Sequence, residues 1–257
     1  MDRQAYLNSL QLPLLEGTLT EANELKKMGD ANNWRVNTFF DFDATEKRLY
    51  LERSPRILHF ATHGIFLHPT TERVVLDFSL TTSGIDLQPP LKLLSNPMHR
   101  SFLALAGAQT TLDAWDEGEY IFPPENDGIL TADEVGHLKL QETWITMLSA
   151  CDTGRGEGRA GEGVLGLRRG FVQAGTQNLL MTLWTLKDNN ETVRQFELDF
   201  YQRAMKTQNA PKALNDIQRE KLIQVRNQTK PGRQLLEAAR LIGPFVMSFQ
   251  GRLFSEQ

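Results

Sequence analysis

The sequence predicts an α/β fold: a single domain, residues 1–257, in which a mainly parallel β-sheet is flanked by helices on both faces. Three observations carry that expectation. Short apolar runs recur along the chain, helix-start signatures and longer amphipathic stretches stand between them, and the composition is that of an ordinary globular domain. The chain has 257 residues, 40% hydrophobic and 23% charged, within the size and composition of one α/β unit.

The runs are RILHFA (Arg56–Ala61), VVLDFSL (Val74–Leu80), SFLALA (Ser101–Ala106), WITMLSA (Trp144–Ala150), NLLMTLW (Asn178–Trp184) and FVMSF (Phe245–Phe249). Runs this short, apolar throughout and bounded by Gly, Pro or polar residues, read as strands buried on both faces. Thr18-Leu-Thr-Glu21, Asp43-Ala-Thr-Glu46 and Thr131-Ala-Asp-Glu134 place an oxygen-bearing side chain three residues before Glu, the spacing of a capping box. Helical patterns follow over about 164–174, 191–205 and 210–226. The segment 81–127 interrupts this order with Gln88-Pro-Pro90, Asn96-Pro97 and Phe122-Pro-Pro124 and an acidic cluster at Asp113, Asp116, Glu117 and Glu119. Proline breaks regular elements, so the segment reads as a looped excursion around one strand and not a second domain. No repeat with a period of 20–50 residues is present.

Charge and cysteine content narrow the function. With 28 Lys plus Arg against 32 Asp plus Glu, the net charge is −4, and direct nucleic-acid binding is not expected. Nowhere do about 18 apolar residues run together, and Asp2 and Arg3 interrupt the first ten residues, so neither a membrane span nor a signal peptide is expected. The single cysteine, Cys151, forbids an internal disulfide and fits a reducing, cytoplasmic setting.

Ligands of open parallel sheets bind beyond the carboxyl ends of the strands, and two such ends carry reactive groups. ILHFATHG ends in His63-Gly64, and ITMLSACD ends in Cys151-Asp152, followed by the glycine-rich loop Thr153–Gly163. A thiol beside an imidazole is the minimum for nucleophilic acyl transfer: the histidine takes the thiol proton and returns it to the leaving amine. A glycine after the histidine lets a carbonyl approach the backbone, whose N–H can steady an oxyanion. The bland alternative is a free cysteine acting as a small buried hydrophobe and a histidine satisfying a core hydrogen bond. His59 and His63 have the i,i+4 spacing of a helical zinc pair, but on a strand they lie about 13 Å apart, and no metal site is expected. The run GRGEGRAGEG lacks the Lys-Ser ending of a phosphate loop and carries Glu157 and Glu162; it reads as a loop that shapes or gates the cleft. Arg168 and Arg169 read as helix surface.

ILHFATHG, NDGILTADEV, LSACDTGRGEGRAGEGVLGLRRGFVQAGTQNLLMTLWTLKD and the closing GPFVMSFQG together resemble a CHAT domain, from Leu12 to Gly251. CHAT domains are caspase-like and are commonly fused to tetratricopeptide repeats; they fall in the peptidase clan of caspases, separase, legumain and gingipains. The resemblance implies a caspase-like three-layer sandwich with His63 as general base and acid, Cys151 as nucleophile, and the N–H groups of Gly64 and Cys151 as oxyanion hole. It implies peptide hydrolysis through a thioester, with no metal or organic cofactor. Leu183-Trp184-Thr-Leu-Lys-Asp188 is similar to the strand end that shapes the specificity pocket in the separase branch, making Asp188 a candidate pocket wall; the competing reading is a helix cap. Asp127 and Asp152 are substrate-binding candidates by the same resemblance, or else loop-fixing groups. The expected partners are a protein substrate and a regulator, either attached repeats or a separate chain, and the expected setting is bacterial defence or regulated cell death. The Trp-Ala pair frequent before the last strand of CHAT sequences is replaced here by Ala239-Arg-Leu-Ile-Gly-Pro-Phe245. The alternative function is a catalytically silent caspase-like interaction module.

Overall fold

The computed structural model describes residues 11–66, 97–117, 127–152, 160–184, 186, 189–228 and 233–250. In chain order these form α1 (Glu16–Ala31), a 3-10 turn (Asp41–Asp43), α2 (Glu46–Leu51), β1 (Ile57–Phe66), α3 (Pro97–Arg100), β2 (Ser101–Ala104) and α4 (Ala108–Asp116). There follow β3 (Ile129–Thr131), α5 (Ala132–Val135), β4 (Ile145–Asp152), α6 (Ala160–Ala174), β5 (Asn178–Thr182), α7 (Glu191–Thr207), α8 (Ala210–Gln228), α9 (Arg233–Ile242) and β6 (Phe245–Phe249). The strands make one sheet of order β3-β2-β1-β4-β5-β6. Its centre, β1-β4-β5, is parallel, and β2, β3 and β6 extend the edges antiparallel. Among the described residues no helix is long and apolar enough to cross a membrane.

The two-residue period of a strand sorts side chains between the two helical layers. On one face Ile145, Met147 and Leu180 pack with Val193, Phe196, Phe200 and Tyr201 of α7 and with Ala213, Leu214 and Ile217 of α8. On the other, Phe60, Leu148, Leu179 and Met181 pack with Leu167 and Phe171 of α6, where the Phe60 and Phe171 rings lie 5.7 Å apart. Both faces of the parallel strands are therefore buried, which is why their sequences read as near-continuous apolar runs. The result is a three-layer α/β sandwich.

Five of the predicted strands are present, with three differences of detail. β1 runs on past Ala61 to Phe66, because β4 pairs with it as far as Gly64 and the antiparallel partner β2 pairs with Gly64, Ile65 and Phe66. β3 was not anticipated; Ile129–Thr131 is too short to stand out as a run and is held by its pairing with β2. Residues 160–163, expected in the loop after Cys151, are already the first turn of α6. The predicted strand Val74–Leu80, residues 153–159 and much of the 81–127 excursion lie outside the described residues; its described part, α3, β2 and α4, packs on the same sheet.

Of the three capping boxes one is complete. Thr131 caps α5, accepting from the Glu134 N–H, while the Glu134 side chain accepts from the Thr131 N–H. At the second, α2 is capped by Thr45 and not Asp43, which lies in the 3-10 turn. At the first, α1 starts two residues before Thr18, whose hydroxyl donates back to the Leu15 carbonyl at 2.7 Å. Glu21 turns away from the helix end because a histidine on the sheet claims its carboxylate.

Glu46, released from that cap, is fully buried beside Asp127 and Glu134. Burial, then the Asp127 and Glu134 charges, push its carboxyl up to about 8. The folded chain thus keeps a proton that the unfolded chain gives up above about pH 4.5, so stability declines as pH rises between those values, with a slope of up to about 1.4 kcal/mol per pH unit. The melting temperature is expected to fall from about pH 5 to about pH 9. Glu46→Gln should flatten the slope and melt higher than the wild type at the alkaline end; equal melting curves for the two across that range would contradict the assignment.

Candidate functional site

β1 and β4 run parallel and in register from Ile57↔Ile145 to Gly64↔Asp152, so the last rungs of the ladder bring His63 opposite Cys151. Neighbouring strands lie about 4.8 Å apart, which places the two backbones side by side at the carboxyl end of the sheet. This is the strand-end position at which open parallel sheets hold ligands.

The His63 ring is buried, at 6% exposure. Its Nε2 lies 2.7 Å from the Pro13 carbonyl oxygen. A carbonyl only accepts, so Nε2 carries the hydrogen and, in the neutral ring, Nδ1 carries the lone pair. Nδ1 is buried and has no hydrogen-bond partner among the described residues. Leaving such an atom unpaired costs about 1–3 kcal/mol, a penalty native proteins tolerate mainly where the atom is used. The Pro13 carbonyl therefore fixes ring orientation and tautomer, and leaves the lone pair at the other nitrogen.

Pro13 belongs to a strap, residues 11–15, that runs into α1. It is anchored upstream where Leu12 N–H donates to Gln109 Oε1 at 2.8 Å on α4. The strap, the end of β1 and the turn from β2 into α4 enclose a cleft of about 240 Å³, lined by Leu12, Thr62, His63, Ala104, Gly107 and Gln109 among others. That is below the roughly 300–1,000 Å³ of sites for drug-sized ligands. Thr62 Oγ1 donates to the Ala104 carbonyl and closes the cleft floor. The wall depends on two glycines. Gly107 has φ +100° and Gly128 φ +84°, and a Cβ on Gly128 would stand 2.2 Å from the Ala108 nitrogen, so only glycine lets the two turns nest.

The remaining candidates divide. Gly64 is buried within β1, its Cα in register with Leu103 and Asp152. Asp152 is the last residue of β4, level with Gly64. Asp127 is buried behind the Gly107 wall: its Oδ1 accepts the Ile129 N–H at 2.8 Å and its carbonyl accepts the Thr111 hydroxyl at 2.7 Å. Burial and the Glu134 charge raise its carboxyl, against the opposing pull of the Ile129 N–H and Glu46. Asp188 lies outside the described residues. The cap of α7 is Asn190, which accepts from the Thr192 and Val193 N–H groups. Trp184 donates to the Arg240 carbonyl at 3.1 Å and remains 41% exposed. His59 is committed to Tyr201 and Glu21, and among the described residues no group of three or more His, Cys, Asp or Glu could hold a metal ion.

The family model of the CHAT domain matches residues 1–234 of the 257. The chain belongs to the CHAT domain family, a caspase-like family, and its three-layer sandwich agrees with that assignment. No curated protein matches the sequence.

Sequence reasoning missed Pro13 and Gln109. Neither could have been found from residue type, since Pro13 acts through its main-chain carbonyl and Gln109 is brought to Leu12 across 97 positions.

The contacts of Asp127 make a separable prediction. Asp127→Asn keeps an oxygen for the Ile129 N–H while removing a charge beside Glu46, so its melting temperature should equal or exceed the wild type's. Asp127→Ala leaves that N–H unpaired and should lose about 1–3 kcal/mol in chemical denaturation. Equal stability of the two variants would show that the Ile129 contact is not what Asp127 contributes.

Proposed function

We propose that this chain is a cysteine endopeptidase in which His63 and Cys151 form the catalytic dyad. The observation that carries the reading is the His63 ring: its tautomer is held by the Pro13 carbonyl, its Nδ1 is buried and unpartnered among the described residues, and its backbone stands in register with Cys151. Membership of a caspase-like family supports the same assignment.

In the reaction Nδ1 takes the Cys151 thiol proton and the thiolate attacks the scissile carbonyl. The N–H groups of Gly64 and Cys151 donate to the resulting oxyanion. The protonated ring, still donating from Nε2 to Pro13, then gives the Nδ1 proton to the leaving amine, and a thioester remains. Water attacks the thioester with Nδ1 as base, which releases the acid and returns the proton to sulfur. No metal or organic cofactor takes part. The Pro13 carbonyl helps in each direction, because it keeps Nε2–H in place and favours the imidazolium that forms between steps.

The substrate is a protein, read in extended form across the cleft beside His63. Asp188, Asp152 and Asp127 are the carboxylates proposed to bound the pocket for the residue before the cut, Asp127 acting through the wall it supports. A regulator, attached repeats or a separate chain, controls the activity in a cytoplasmic setting, with bacterial defence or regulated cell death as the proposed role.

The test is mass spectrometry of a proteome-derived peptide library. Wild-type protein should generate new termini sharing a residue preference, and Cys151→Ala should generate none. His63→Ala should lower turnover by about 10³-fold or more. The variant should stay folded with a lowered melting temperature, since the ring's loss leaves only the Pro13 carbonyl unpaired, at about 1–3 kcal/mol. Full activity of His63→Ala at neutral pH would refute the dyad, and no cleavage by any form with or without a regulator would favour a silent interaction module.

A further inference from the structure

Beneath the dyad, on the same face of the sheet, a buried polar cluster joins the two reactive strands to two helices. Glu21 of α1 is its hub. Its Oε1 lies 2.8 Å from His59 Nε2 on β1, and its Oε2 accepts the Ser149 hydroxyl at 3.2 Å on β4. His59 Nδ1 lies 2.9 Å from the Tyr201 hydroxyl on α7. His59 is four residues before His63, and Ser149 two before Cys151, so each contact is made on a strand that carries one member of the dyad. Glu21 is only 6% exposed and Tyr201 1%.

The protonation pattern follows from the donors available. Burial would raise the Glu21 carboxyl, but the His59 hydrogen bond and charge, with contacts from Glu197 and Ser149, outweigh it and hold the group below its usual range. A carboxylate only accepts, so His59 Nε2 carries a hydrogen. Glu197 of α7, 1% exposed, lies beside Glu21 and Ser149. Burial and the Glu21 charge push it well up, so it holds its proton and can donate it to Glu21. Glu21 thus gathers contacts from β1, β4 and α7 at once. Elsewhere on these helices Glu24 pairs with the partly buried Arg194, and Lys26 pairs with Asp30 at the surface.

Such a cluster is an expensive way to fill a core unless its geometry matters. The strap explains what it holds. Pro13 stands three residues before α1, and the strap's other described anchor is the Leu12–Gln109 bond. Fixing α1 against β1 and β4 fixes the approach of the Pro13 carbonyl to His63.

We propose that Glu21 is a positioning residue: by tying α1 to His59 on β1 and Ser149 on β4, it holds the Pro13 carbonyl on His63 Nε2 and so sets the tautomer of the dyad histidine. The inference rests on the reading of His63 and Cys151 as a dyad, but its principal measurement does not need catalysis. Protein labelled with ¹⁵N-histidine reports the tautomer of each of the five imidazoles, His63 being assigned by its loss in His63→Ala. The second measurement is iodoacetamide alkylation of Cys151, the chain's only cysteine.

In the wild type, His63 should show one tautomer with hydrogen on Nε2. In Glu21→Ala it should become a mixture, and alkylation at neutral pH should slow roughly tenfold, the size of effect typical of partners that orient a functional histidine. Glu197→Gln, whose amide donates as the protonated acid does, and Lys26→Ala, on the outer face of α1, should leave both readouts unchanged. Should Glu21→Ala fail to fold, Glu21→Gln keeps the volume, loses one of the two acceptor oxygens, and should still give the mixed tautomer. A folded Glu21 variant with the wild-type tautomer and alkylation rate overturns the inference while His63→Ala still decides the dyad. A wild type alkylated no faster than His63→Ala would instead remove the dyad, and a tautomer change in the Glu21 variant would still uphold its positioning role.

Discussion

The parallel register between β1 and β4 is the constraint from which the rest of the site follows. Because each rung pairs one residue of β1 with one of β4, the alignment of Ile57 with Ile145 commits His63 to Cys151 and Gly64 to Asp152. A slip of one residue would exchange the two faces of β1 and send His59 and His63 into the apolar layer around Phe171. That layer is built from apolar side chains, so the packing of Phe60, Leu148 and Met181 against α6 defends the register, and with it the site.

The two faces of β1 have different work. One is filled by Phe60 against α6. The other carries His59, Ala61 and His63, a stripe in which imidazoles alternate with a methyl group under α1 and its strap. Burying imidazoles costs free energy unless each nitrogen is paired. His59 is paired at both nitrogens, by Glu21 and Tyr201, and is structural. Among the described residues His63 is paired at Nε2 only. Two histidines of the same motif, on the same face, are separated in role by what the helical layer brings to them.

The cleft follows from backbone chemistry in the same way. Its wall rests on turns at Gly107 and Gly128 whose main chains meet too closely for any side chain, and Asp127 ties the second turn to β3 and α4. Strap, wall and strand end converge on one imidazole, and each reaches it through main-chain groups or short polar side chains that leave a cleft of about 240 Å³ beside it.

The sequence by itself determined the layers and marked the candidate pair. Apolar runs of strand length with helices between them predict a parallel sheet, and a histidine and a lone cysteine at two strand ends mark its candidate edge, because burial on both faces and the strand-end rule are local enough to read along the chain. The capping box at Thr131 was legible for the same reason, since all its partners lie within four residues. Where a distant group competed, local reading failed: Glu21 was taken from its expected cap by His59, and Glu46 lies among carboxylates from residues 127 and 134. β3 exists only because β2 is beside it. The register, the Pro13 acceptor, the Gln109 anchor and the Glu21 hub were decided by tertiary structure alone. They join residues far apart in the chain, through main-chain groups and side-chain pairs that no local pattern announces, and only the closed sandwich brings such groups within a hydrogen bond of one another.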